Sequence, residues 1–308
     1  MSRRGRGLAQ AGRRPEPTGW LARQVAHRQA QADRLPWVRR LVAELTRIEL
    51  VDRSLALGAQ ALLALLPFLV VLAAYAPQDF AGAVVDHVRE TMGLASGDLR
   101  PAEELVDSPS IESNTGVFGF LVALVSATSF SRALQRMYAR VFEVAKEDST
   151  GRIQRSVVWL PVWLSYLLGV ALLARWPDGL LGGNLWIPVL SVAMQVAFWW
   201  WSMHFMLSGV RSWGQLLPAA LITTAASLLL FVGSGVVMPP YTRSSVAQFG
   251  SFGLILAAAS WLVAFAGVLV LSSLIGRLVA ESEAWRRVLD RVEDRRSQRS
   301  QVDPPHRD

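Results

Sequence analysis

From about Leu55 onward the chain alternates long apolar runs with shorter polar segments, and the runs have the length of helices rather than strands. Six of them, approximately 55–76, 116–137, 156–175, 185–207, 214–237 and 251–276, carry few charges. A helix rises 1.5 Å per residue, so about 20 residues cross the roughly 30 Å hydrocarbon core of a bilayer. The pattern therefore predicts six transmembrane helices. Pro67, Pro161, Pro188 and Pro218 fall inside or near the starts of these runs, which membrane helices tolerate when neighbours re-satisfy the freed carbonyl. Pro239-Pro240 is read as the end of the fifth span, with Tyr241 and Arg243 following at the interface.

The segments around the spans have their own patterns. Residues 1–34, beginning MSRRGRGLAQAGRRPEP, hold almost no large apolar side chains and read as a disordered basic tail. No apolar run of signal-peptide length follows the first arginines, so a cleaved signal is not expected. Residues 35–53 have helical period, with Leu35, Val38, Leu41, Val42, Leu45 and Ile48 on one face and Arg39, Arg40, Glu44 and Arg47 elsewhere. This is an amphipathic helix that either lies along the membrane surface or packs on its own bundle. The spans then occupy 54–276, interrupted by one long loop at 77–115. That loop carries eight acids against two arginines, and Phe80, Val84, Val85, Val88 and Met92 predict a short external helix near 79–92. Residues 277–308 read as a charged tail.

Charge fixes the orientation. Basic residues are retained on the cytoplasmic side of short loops, and 27 of them fall in the N-terminal segment, loop 131–155, the Arg211 loop and the C-terminal tail, against 4 on the opposite side. Both termini are therefore expected in the cytoplasm. The net charge of +7 would point to nucleic acid in a soluble chain, but the membrane already accounts for it. No nucleic-acid partner is expected. Of 308 residues 52% are hydrophobic and 18% charged, and cysteine is absent, which excludes disulfide frameworks, iron–sulfur clusters and thiol nucleophiles.

Candidate chemistry is sparse. His27, His87, His204 and His306 lie far apart in the chain, none with the i, i+4 spacing of a helical metal site, and no nucleophile elbow, phosphate loop or dinucleotide fingerprint is present. No catalytic residue, metal or cofactor is assigned, and the chain is not read as an enzyme. Polar residues in the spans carry more information, because they face a bundle interior or a water-filled cavity. Gln60, Ser126, Thr128, Ser129, Gln195, His204, Thr223, Thr224 and Ser251 are the candidates for lining a polar cavity that takes a lipid or small solute; interhelical hydrogen bonds are the competing use. Arg132, Arg136 and Arg140 stand at i, i+4, i+8 and form a stripe suited to lipid phosphate or an acidic partner, or to anchoring the helix on the positive-inside side. Gly233, Gly235, Gly250 and Gly253 permit close helix contact, and Gly250 and Gly253 are singled out as a hinge or packing point. Phe198 with Trp199, Trp200 and Trp201 reads as an interfacial belt.

Four stretches carry a family resemblance. They are SLALGAQALLALLPFLVVL with Leu65-Leu66-Pro67, the segment Ser126 to Arg136 (SATSFSRALQR), Trp213 to Ala220 (WGQLLPAA), and Phe249-Gly250-Ser251-Phe252-Gly253 with Trp261 downstream. In order and spacing they resemble the YihY/virulence factor BrkB-like bacterial inner-membrane proteins, once labelled ribonuclease BN, over about residues 35–280. The resemblance implies six spans with cytoplasmic termini in the bacterial inner membrane and membrane lipids as surroundings. Two positions depart from the family pattern: Leu207-Ser208 stand in place of Pro-Asn, and Ser272-Ser273-Leu274 in place of Gly-Ala-Glu. The function read from the sequence is a transporter or lipid-handling protein with an intramembrane polar cavity; the alternative is a scaffold of envelope assembly acting through basic cytoplasmic segments and a dry bundle.

Overall fold

The computed structural model describes residues 36–75, 116–144, 152–174 and 186–291, and every element among them is helical. The basic tail, the external loop with its helix near 79–92, and the end of the C-terminal tail lie outside the described residues. The chain divides into two units, Met1–Glu44 and Leu45–Asp308. Helix α1 is Pro36–Arg47, α2 Leu50–Tyr75, α3 Gly116–Val141, α4 Arg152–Ala174, α5 Trp186–Met206, α6 Trp213–Phe249 and α7 Ser251–Ala280. A short helix α8 follows over 283–291.

Helices α2 to α7 form a closed ring. Each packs on its neighbour in sequence, α7 closes back onto α2, and α7 also reaches α3 across the middle. The α6–α7 pair is the most extensive contact. Both helices, over Trp213–Phe249 and Phe252–Ala280, are long and apolar enough to cross a membrane.

Small and hydroxyl-bearing residues set the registers. Between α6 and α7, Ala219 meets Gly276, the Thr223 and Ser272 hydroxyls lie 2.9 Å apart, and Trp261 Nε1 donates to Ser234 Oγ at 2.8 Å. These three pairs keep one antiparallel register along the helices. A Cβ placed on Gly276 would stand 2.2 Å from Ala219 Cα. The same logic holds α7 against α2, where a Cβ on Gly58 would come 2.8 Å from Val263 Cα, and Gly267 faces Ser54 four residues along. Backbones this close bring many atoms into van der Waals range, which is the driving force available where no water drives helices together. The opposite side of the ring uses longer side chains. Gln135 Nε2 donates to Ser156 Oγ at 3.0 Å between α3 and α4, and Trp159 Nε1 to Ser202 Oγ at 3.0 Å between α4 and α5.

Several expectations change. Helix α6 does not stop at Pro239-Pro240 but continues to Phe249, about 55 Å in all at the standard rise. Proline forfeits one N–H and disturbs the carbonyl four residues back, yet Met238, Thr242 and Ser245 on either side remain buried and hold the helix in line. The connection to α7 is then a single residue, Gly250, at φ 58 and ψ −140. Those angles belong to glycine, and they let the chain double back so tightly that a Cβ on Gly253 would stand 2.1 Å from the Ser245 carbonyl oxygen. Among the described residues Gly233 and Gly235 are not at a close contact, since none of these lies within 4 Å of a Cβ built on either. The aromatic run is not all belt: Phe198 and Trp199 are buried, whereas Trp200 Nε1 donates to the Trp213 carbonyl at 2.8 Å. At the ends of the bundle α2 begins at Leu50 after a break at Glu49 (φ 54), and α7 runs past Arg277.

Candidate functional site: an arginine-lined pocket at one end of the bundle

Helix α3 ends without a glycine. The Phe142 N–H donates to Tyr138 at 2.8 Å and the Val144 N–H to Ala139 at 2.9 Å, the closure that puts the intervening residue in the left-handed region. That residue is Glu143, at φ 55, where a side chain costs roughly 1–2 kcal/mol relative to glycine's freedom. Two arginines hold it. Its Oε1 lies 3.0 Å from Arg47 Nη2 and 3.3 Å from Arg277 Nη2.

Arg277 is the hub. It sits on the inward face of α7 with only 7% of its side chain exposed. Its Nη1 donates to the Val141 carbonyl at 2.7 Å and its Nε to Glu281 Oε1 at 2.8 Å. Arg211, in the turn between α5 and α6, donates Nη2 to the Phe142 carbonyl at 2.8 Å. Two carbonyls at the C-terminus of α3 are thus met by guanidinium groups, which suits the negative end of a helix dipole.

The α5–α6 turn is fixed just as firmly. Ser208 is left-handed at φ 61 and the Gly209 N–H returns to the His204 carbonyl at 3.0 Å. The Arg155 guanidinium donates to the Ser208 hydroxyl. The His204 ring stacks on Trp213 with centroids 4.0 Å apart, and its Nδ1 lies 3.1 Å from the Arg211 carbonyl. Trp285 Nε1 donates to the Gly214 carbonyl at 3.0 Å, docking α8 on the start of α6. Arg286 then folds back, with Nε and Nη2 at 3.2 and 2.7 Å from the Glu281 carbonyl. Between these groups lies a cavity of about 190 Å³, edged by Arg211, Gln215, Arg277, Glu281 and Arg286 and walled by Phe142, Ala280 and Leu289.

The family model for Virulence factor BrkB matches residues 41–298, most of the chain and all of this site. The chain belongs to the Virulence factor BrkB family. No curated protein and no solved structure matches it. Family membership and the two long apolar helices together support a membrane protein, one whose activity the family leaves open.

In this BrkB-family bundle the residues expected at a polar cavity are distributed as follows. Thr223 and Thr224 are buried in α6, Thr223 bonded across to Ser272. His204 lies in the last turn of α5, its Nδ1 beside the Arg211 carbonyl of the α5–α6 turn. Thr128 donates to the Val125 carbonyl of its own helix at 2.9 Å. Gln60, Ser126, Ser129 and Gln195 are half-buried on α2, α3 and α5, and the side chain of Ser251 lies outside the described residues. The hydrogen bonds of Thr128, His204 and Thr223 run to Val125, Arg211 and Ser272 rather than to one another. Of the arginine stripe, Arg132 is half-buried and donates Nε to the Thr128 carbonyl at 3.2 Å, while Arg136 and Arg140 are exposed. Among the described residues no three His, Asp or Glu side chains group as a metal site.

Residues that carry the site were missed. In the sequence Arg277 and Arg286 look like part of the basic tail and Gln215 and Glu281 carry no signal, while the buried Gln135, Ser156, Ser202 and Ser272 hold helices together away from the pocket. One signal was available: Arg277 follows the apolar run of α7 at four residues from Ser273, on its inward face.

Proposed function

We propose that this chain crosses the bacterial inner membrane six times with both termini in the cytoplasm, and serves as a close-packed scaffold that acts at its arginine-rich cytoplasmic end. The observation that carries the reading is the packing of α2, α7 and α6. Glycine-on-backbone contacts at Gly58 and Gly276, with the buried Thr223–Ser272 pair between helices, leave these seams no room for a solute. Support for six crossings comes from the ring of six helices and from basic residues gathered in alternate connections. The reading assigns no catalytic step to the chain and no nucleic acid as partner.

One observation favours the transporter as a second reading. The Thr224, Ser227 and Thr242 hydroxyls and Gln60 Oε1 are buried and find no protein hydrogen-bond partner among the described residues. Such atoms are costly unless something polar meets them.

Reporter fusions test the topology. Fusions after Arg100 and after Ser300 should give a periplasmic reporter active only at Arg100 and a cytoplasmic reporter active only at Ser300. Periplasmic activity at Ser300 would rule the arrangement out.

A further inference from the structure

We infer that the pocket between Arg211, Arg277 and Arg286 binds a phosphate group, either the headgroup of an anionic lipid or a free phosphate. Three guanidinium groups edge the cavity against one carboxylate, Glu281, and that carboxylate is already engaged by Arg277. Arg277 is also paired with Glu143, itself shared with Arg47, so the positive charge open to a ligand comes from Arg211 and Arg286. Helix α6 starts at the rim with its positive end, while the carbonyls at the ends of α3 and α7 at this same end of the bundle are already met by Arg211, Arg277 and Arg286.

The guanidinium groups are oriented in advance. Arg211 is fixed through Nη2 on Phe142, and Arg286 through Nε and Nη2 on Glu281. A guanidinium carries five N–H donors, so each of these two keeps donors beyond the ones that fix it. Planar forks held in place match phosphate oxygens in pairs and lose little entropy on binding. A cavity of about 190 Å³ far exceeds the roughly 10–15 Å³ that admits one water. Its remaining wall is apolar, from Phe142, Ala280 and Leu289, which fits the first carbons of a lipid beside its headgroup.

The inference rests on the proposed function only for the side of the membrane on which the phosphate is met. The test is done in detergent, where topology plays no part, so the two readings fail separately. Thermal unfolding of the purified full chain would be followed with sodium phosphate against sodium chloride at equal ionic strength, and with dihexanoyl phosphatidic acid against dihexanoyl phosphatidylcholine. A ligand that binds only the folded state raises the midpoint with concentration. Phosphate and phosphatidic acid should both do so, chloride and phosphatidylcholine should not. Arg286→Gln should weaken the apparent affinity about tenfold or more, the usual scale for a lost charge-assisted hydrogen bond. Gln215→Glu, at an exposed position on the rim, should abolish the shift, whereas Arg287→Gln should leave it intact. Protection by phosphatidic acid at tenfold lower concentration than phosphate would name the lipid as source, and equal protection would name free phosphate. No shift beyond chloride, or equal weakening by Arg287→Gln, would overturn the inference.

Discussion

Replacing Gly276 with leucine should remove most of the folded protein. The α6 backbone stands where the new side chain would have to begin, with Ala219 Cα 2.2 Å and Ala219 N 2.6 Å from the ideal Cβ position. No rotamer relieves a clash at Cβ, so the two helices must separate. Separation breaks the Thr223–Ser272 pair one turn along and opens the most extensive helix pairing among the described residues. Overpacking in a core costs about 1–3 kcal/mol where neighbours can shift, and here the neighbour is backbone, so the cost should exceed that range against a total stability of about 5–15 kcal/mol. Monodisperse protein recovered by size exclusion in detergent should fall several-fold. Gly276→Ala should already be harmful, and adding Ala219→Gly should not rescue it, because the nearest atom is Cα rather than Cβ. Gly233→Ala should be recovered at wild-type yield, since no atom of the described residues lies within 4 Å of the added Cβ and alanine favours the helix by about 1 kcal/mol.

Arg277→Met should lower the thermal midpoint by about 5–10 °C. The substitution keeps much of the volume and removes the charge, taking away the donor on the Val141 carbonyl and the 2.8 Å bond to Glu281 Oε1. Breaking a buried ion pair costs about 3–5 kcal/mol when the remaining charge stays buried. Here Glu143 and Glu281 are 48% and 32% exposed, and Glu143 keeps Arg47, so about 2–3 kcal/mol is the appropriate scale, at a few degrees each for a chain of this size. Arg277→Lys should recover only part, because an ammonium cannot address Val141, Glu143 and Glu281 at once as a planar fork does. Arg287→Gln, whose partner Glu283 is 3.9 Å away and 88% exposed, should change the midpoint by less than about 2 °C. An Arg277→Met midpoint as close to wild type as that would show the hub to be dispensable.

The helices were legible in the sequence because each is a long apolar run, and a run of that kind leaves little choice of backbone. Their registers were not. Thr223 and Ser272 are 49 residues apart, and nothing local tells which serine on α7 a threonine on α6 will meet. The sequence alone therefore does not separate a polar residue that lines a cavity from one such as Thr223, which bonds across a helix contact. Pro239-Pro240 points the other way for a related reason: local rules end a helix there, while burial of Met238, Thr242 and Ser245 carries it on. At Gly250 the reverse holds, since φ 58 with ψ −140 lies in a region all but closed to residues with a side chain, unlike the left-handed turns at Glu143 and Ser208, and that need is local. Arg277 was hidden because a cation beside a basic tail looks like the tail. Its inward face is defined only once α3 ends beside it and offers a bare carbonyl.

The central claim is a bundle that is closed along α6 and α7 and works at its end. The chain has no cysteine, so single cysteines report accessibility without a background. Thr224→Cys in inverted and in right-side-out membrane vesicles should stay unmodified by a small charged methanethiosulfonate reagent added to either face, because that side chain is 2% exposed between the helices. Ser300→Cys should be modified from one face only. Modification of Thr224→Cys at a rate near that of Ser300→Cys, from either face, would mean that water reaches the seam and would contradict the closed bundle.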